Sequence, residues 1–102
     1  GKDMGIEQND IVRAHVWVKG RVQGVGFRAH VEYHARQIGV TGWVRNVGWD
    51  TVETVVEGTR AQVERFIEMV KEGPRMSRVD ESKVEYETVT GEFKEFGVRG
   101  SL

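Results

Sequence analysis

Between positions 20 and 28 the chain reads Gly-Arg-Val-Gln-Gly-Val-Gly-Phe-Arg. Glycine at 20, 24 and 26 removes the Cβ atoms that would hold a ligand away from the backbone, and it lets the chain turn tightly. A helical pattern starts at Phe27, so the segment feeds a helix whose first N–H groups have no intrahelical acceptor and whose dipole is positive at that end. Arg28, in the first turn, adds a planar fork of two donors. Free N–H groups, a positive helix end and a guanidinium together suit a phosphate or a similar small anion.

Other chemistries fit the residues less well. Gly24-x-Gly26-x-x-Ala29 formally matches a dinucleotide-binding fingerprint, but that motif needs parallel strand-helix-strand units and an acid closing the second strand. Here the second strand ends in Asn46-Val47 and runs into a hairpin. A Walker loop fails because Gly-Lys-Ser/Thr is missing. Taken alone, Gly24 and Gly26 are also compatible with a plain turn. His30 and His34, one helical turn apart, lack the His-Glu-x-x-His pattern and a third ligand, so no metal site is expected, with His34 flanking the core and His30 solvated. Glu53 and Glu57 have the spacing of one strand face and read as a solvated face, since paired carboxylates would repel an anionic substrate. The absence of cysteine excludes disulfides, thiolate metal sites and a thiol nucleophile.

The elements that must position the glycine segment follow from periodicity. Residues 14–19 partly alternate and predict a strand with both faces covered. Phe27, Val31, Ala35 and Ile38 make one face of a helix ended by Gly39. Residues 41–47 and 51–57, rich in β-branched and aromatic side chains around Gly48-Trp49-Asp50, predict a hairpin. Trp49 is expected to pack on its neighbours as a turn residue, the alternative being an exposed ring beside the site. Thr59 and Gln62 form a capping box before the stripe Val63, Phe66, Ile67 and Val70, and Gly73-Pro74 stops that helix. Residues 79–89 predict another strand, and Phe96 with Val98 a short extra one. The order β-α-β-β-α-β argues for an α+β ferredoxin-like sandwich, two helices on one face of a mostly antiparallel sheet.

Composition bounds the rest. The chain has 102 residues, 38% apolar and 30% charged, with net charge −1. That is the make-up of one folded domain, assigned here to 11–102 behind a disordered tail over 1–10. No apolar run approaches the roughly 20 residues of a membrane span, and no secretory pattern opens the sequence. A cytoplasmic location is therefore expected. Residues 11–49 carry six basic side chains against one acid, whereas residues 50–102 carry eight against twelve. The glycine segment thus lies in the electropositive part, which suits a small anion more than a nucleic acid.

The segment 20–28, followed by Gly42-Trp43-Val44-Arg45-Asn46, resembles the two signature segments of the acylphosphatase family, and the likeness runs over 13–99. It implies hydrolysis of acyl phosphates to carboxylate and inorganic phosphate without metal or cofactor. By the same resemblance Arg28 binds the substrate phosphate, the backbone N–H groups of Gln23, Gly24, Val25, Gly26 and Phe27 surround it, and Asn46 orients the attacking water. The implied partners are a small acyl phosphate and inorganic phosphate, the latter as product and competitive inhibitor. Neither nucleic acid nor membrane is implied, and the protein is expected to be a monomer. Where the family often has a proline-aspartate-glycine type turn, this chain has Gly48-Trp49-Asp50. Two other readings share the element order: an RNA-recognition module, which needs stacking aromatics on the third strand where 51–57 has none, and a phosphate-sensing module without catalysis. Arg45 alternates to the opposite sheet face from Asn46 and reads as a surface charge.

Overall fold

The computed structural model describes residues 10–102. The tail expected over 1–10 thus lies outside the described residues except for Asp10, whose carbonyl accepts the Arg60 N–H at 2.8 Å. Seven elements follow in order: β1 (Ile11–Arg21), α1 (Phe27–Ile38), β2 (Thr41–Val47), β3 (Thr51–Thr59), α2 (Arg60–Glu72), β4 (Arg78–Glu87) and β5 (Phe96–Val98). They form one sheet in the order β4-β1-β3-β2-β5. β1 pairs antiparallel with β3 and β4, β2 pairs antiparallel with β3, and β5 lies parallel to β2. This is the ferredoxin-like sandwich that the element order implied.

Alternation along β1 separates two environments. Ala14, Val16 and Val18 are fully buried beneath the helices, while Arg13, His15 and Trp17 are half-buried on the other face. β1 is longer than 14–19 because its ends are held by the ladder, Ile11 opposite Thr59 and Arg21 opposite Arg78, rather than by side-chain pattern. A register shift between Lys19 and Gly20 marks an irregularity in the β1–β4 ladder just before the glycine loop, with Gly20 and Arg21 still paired to Val79 and Arg78.

Both helices lie where their apolar stripes place them. Phe27, Val31 and Ala35 of α1 and Val63, Phe66, Ile67 and Val70 of α2 enter one core with Val16, Val18, Val44, Val52 and Val56 of the sheet. Each of these valine, isoleucine and phenylalanine side chains contributes roughly 1.5 to 3 kcal/mol by leaving water. The capping box is formed: the Gln62 N–H donates to Thr59 Oγ1 at 3.1 Å, and the Thr59 N–H to Gln62 Oε1 at 2.9 Å. Gln62 Nε2 also donates to the Ile38 carbonyl at 3.1 Å, tying the start of α2 to the end of α1. No helix among the described residues is long and apolar enough to cross a membrane.

The helix-free face of the sheet corrects one expectation. Glu53 and Glu57, read as solvated, are 7% and 5% exposed. They are buried because cations from neighbouring strands close over them. Glu53 accepts Arg45 Nε at 2.7 Å and contacts His15 Nε2 at 2.6 Å. His15 Nδ1 lies 2.8 Å from Glu87, which also accepts Arg13 Nε at 3.0 Å. Arg13 Nη1 reaches Glu57 at 3.0 Å, and Glu57 further accepts the Thr90 and Gly91 N–H groups at 2.9 and 3.1 Å. The guanidinium groups of Arg45 and Arg99 lie over the Trp43 ring, 4.8 and 4.5 Å from its centre. Ion pairs and aromatic rings together cover this face.

Burial alone would raise the Glu57 pKa. The Thr90 N–H, the Arg13 guanidinium and the Gly91 N–H outweigh it and hold the carboxyl below its ordinary value. Burial is likewise outweighed at Glu53 by Arg45 and His15, and His15 with Arg13 lowers Glu87. A carboxyl lowered on folding stabilises the fold above its unfolded pKa, and that contribution is lost as pH falls through the folded value. Unfolding free energy is therefore expected to hold from neutral pH down to the ordinary glutamate value of 4.5 and to decline below it. Glu57→Gln should flatten that acid limb and cost about 2 kcal/mol at pH 7, as urea titrations from pH 7 to pH 3 would reveal. An unchanged acid limb in the variant would contradict the assignment.

Candidate active site

The loop joining β1 to α1 is fastened from below. Val22 is fully buried and Phe27 is 2% exposed, and Val25 packs against the same core. Between these anchors Gly24 and Gly26 are exposed, at φ +75° and +77°. Both conformations are disfavoured for side chains with a Cβ, and the space beside both residues is open. Gly26 is the N-cap of α1 and supplies no side-chain cap. The helical bonding begins with the His30 N–H to the Gly26 carbonyl at 3.0 Å, so the Phe27, Arg28 and Ala29 N–H groups precede it.

Arg28 and Asn46 line one cleft of about 350 Å3 together with Val22, Gln23, Gly24, Gly26, Phe27, Ala29, Glu32 and Val98. Asn46 reaches it from β2, where alternation puts it on the helix-covered face with Val44, and Arg45 turns to the other face as the alternation required. Asn46 Oδ1 is buried and accepts no hydrogen bond from the protein. A buried acceptor in that state calls for a donor from outside the chain. Among the described residues the Arg28 guanidinium has no carboxylate partner, whereas Arg13, Arg36, Arg45 and Arg78 are each paired with one. Glu32, one turn beyond Arg28, is held by Arg36 at 3.1 Å instead. The cleft thus presents an unpaired cation, a helix start and a free amide oxygen to one small volume.

Of the residues singled out from sequence, Gln23, Gly24, Gly26, Phe27, Arg28 and Asn46 meet at this cleft, while Val25 points toward the core. Four lining residues, Val22, Ala29, Glu32 and Val98, were not among the predicted site residues. Glu32 was legible as the i+4 neighbour of Arg28, but Val98 enters only because β5 pairs with β2, which no local pattern signals. The Gln23 side chain was also missed: its Nε2 spans to the carbonyls of the β2–β3 turn.

The remaining candidates fall elsewhere. Trp49 does not pack on its neighbours as expected, being 83% exposed at the hairpin tip. It borders a second cleft of about 500 Å3 with Lys19, Arg21 and Arg78, which shares only Val22 and Gln23 with the first. The His30 and His34 rings are 4.4 Å apart, and both residues are half-buried, His30 included, against the expectation that it is solvated. Burial and the neighbouring His34 hold His30 below the ordinary histidine range, against an opposite pull from Glu72. Among the described residues no three potential metal ligands gather. The outer face of β3, carrying Thr51, Glu53, Val55 and Glu57, offers no ring for a base to stack on.

Fold and cleft together define a small α+β protein with an open glycine loop where a strand meets a helix. Comparison with known proteins makes this specific. A family model for acylphosphatase matches residues 14–98. A Roseiflexus acylphosphatase is 45% identical over 89 residues, which is 87% of this chain and 96% of that protein. The solved acylphosphatase of Coxiella burnetii superposes with a TM-score of 0.83 at 36% identity, over 89% of this chain and 94% of that one. That of Bacillus subtilis gives 0.82 at 33% identity, over 86% and 98%. The chain belongs to the acylphosphatase family.

If the loop needs its glycines for conformation alone, alanine at 24 or 26 should cost only the left-handed strain. Gly24→Ala and Gly26→Ala are each expected to lose about 1 kcal/mol of stability, read from denaturation midpoints. A much larger loss would mean that a side chain there does collide.

Proposed function

We propose that this protein is an enzyme that hydrolyses acyl phosphates, with Arg28 and the loop N–H groups binding the phosphoryl group and Asn46 positioning the water. The observation that carries this reading is the unpartnered Asn46 Oδ1 in the same cleft as the unpaired Arg28. An amide oxygen that accepts one water hydrogen turns a water lone pair outward, toward a phosphorus held by the loop. The new P–O bond forms as the bond to the acyl oxygen breaks. The acyl oxygen leaves as a carboxylate, and the protons of the water pass to phosphate and solvent.

Charge in such a step spreads over the equatorial phosphoryl oxygens, where fixed N–H donors and a guanidinium stabilise it without rearrangement. A carboxylate is a good leaving group, so no strong general acid is called for. The amide contributes proximity and orientation. The loop is anchored by the burial of Val22 and Phe27, which holds its donors in place before substrate arrives.

On this reading inorganic phosphate is both product and competitive inhibitor, and the enzyme acts as a cytoplasmic monomer. Purified protein with a chelator present is expected to hydrolyse acetyl and benzoyl phosphate, to be inhibited competitively by phosphate, and to leave phosphate esters intact. Arg28→Gln and Asn46→Ala should each lower kcat/KM about 100- to 1,000-fold. Unchanged turnover in either variant would remove that residue from the mechanism, and a strict magnesium requirement would overturn the mechanism itself.

A further inference from the structure

The Gln23 side chain joins the two halves of the cleft. Its Nε2 lies 2.9 Å from the Thr51 carbonyl, 3.2 Å from that of Gly48 and 3.3 Å from that of Val47. Two amide hydrogens face three acceptors, all from the turn that follows Asn46. Val47 is the residue next to Asn46, and Gln23 begins the loop that leads through Gly24 and Gly26 to Arg28. The turn is also bonded to β1, through the Gly20 N–H to the Asp50 carbonyl at 3.0 Å, the Lys19–Asp50 ion pair at 3.8 Å and the last ladder pair, Lys19 with Thr51. Those bonds tie the turn to the strand before the loop, whereas Gln23 ties it to the loop itself.

We infer that Gln23 is a positioning residue, whose side chain fixes the distance between the anion-binding loop and the strand carrying Asn46. The inference rests on the acylphosphatase reading for its kinetic consequence, though not for the coupling. In-line attack needs the water on Asn46 aligned with a phosphorus held by the loop, and a displacement of about 1 Å between reacting groups can cost 100-fold in rate. The loop keeps its own anchors in Val22 and Phe27 without the amide. Losing the strut should therefore spoil alignment while sparing phosphate binding.

Gln23→Met keeps the length and removes both donors, and Gln23→Glu keeps the shape but turns acceptors toward carbonyls. In Gln23→Met, kcat is expected to fall about 10- to 100-fold, with the inhibition constant of inorganic phosphate within about threefold of the parent. Gln23→Glu should be at least as impaired in kcat. A kcat within about twofold of the parent in Gln23→Met, or a phosphate constant that rises as far as kcat falls, overturns the inference. A second measurement follows backbone amide resonances during phosphate titration. In the parent the shifts should extend from the loop to residues 48–51, and in Gln23→Met they should stay within the loop. A hairpin response that persists in the variant, or is absent from the parent, also overturns it. Should the parent fail to hydrolyse acyl phosphates, the functional reading falls while the resonance comparison still decides the coupling.

Discussion

The site depends on the burial of α1 against the sheet. Arg28 and Asn46 face one cleft because Phe27, one residue before Arg28, and Val44, two residues before Asn46, are locked into the same core. A buried phenylalanine is worth about 3 kcal/mol against truncation, far more than any single polar contact at the cleft. Helical geometry then carries Arg28 around from the core side to the cleft, and strand alternation brings Asn46 to the same face as Val44. Among the described residues neither side chain is held by an ion pair or hydrogen bond of its own. Each is aimed by an apolar neighbour, which leaves its polar atoms free.

That freedom stands out against the rest of the charged surface. The basic excess of residues 11–49 and the acidic excess of residues 50–102 meet across the sheet, where Arg13 and Arg45 of the first part neutralise Glu53, Glu57 and Glu87 of the second. Part of the sequence asymmetry is thereby cancelled by folding. What survives in the cleft is Arg28, with its one acidic neighbour, Glu32, turned aside by Arg36. Arg36 also donates to the Phe96 carbonyl at 3.0 Å, so the same side chain fastens β5 to α1.

Elements governed by local rules could be read from the chain. The ends of α1 and α2, the β2–β3 hairpin and the capping box of Thr59 and Gln62 depend on residues within a few positions of one another. The glycine loop and Asn46 were legible as a pair because their types and separation resemble known signatures. Glu53 and Glu57 were misread because period-two spacing assigns a face but not what covers it. Their burial comes from Arg13, His15 and the 90–91 backbone, more than 30 residues away from Glu57 in the case of Thr90. Trp49 failed in the opposite sense, since a large ring does not by itself show whether a turn has anything to pack on. The Gln23 strut was hidden for the same reason as the parallel β2–β5 pair: both join segments that only the tertiary fold brings together.

Beyond β5 the chain continues along β2. The Arg99 N–H donates to the Val44 carbonyl and that of Leu102 to the Asn46 carbonyl, both at 2.9 Å, and the Gly48 N–H returns to the Leu102 carbonyl at 3.0 Å. The flank of β2 is thus closed to any other strand by a partner with only three residues of regular structure. On the opposite side β4 presents Arg78, Asp80, Glu81, Lys83 and Glu85 to solvent. A short strand at one border and a charged one at the other give a second molecule little to pair with. The folded protein is in this way protected against edge-to-edge aggregation, and the segment that provides the protection at β2 is the one that braces the strand carrying Asn46.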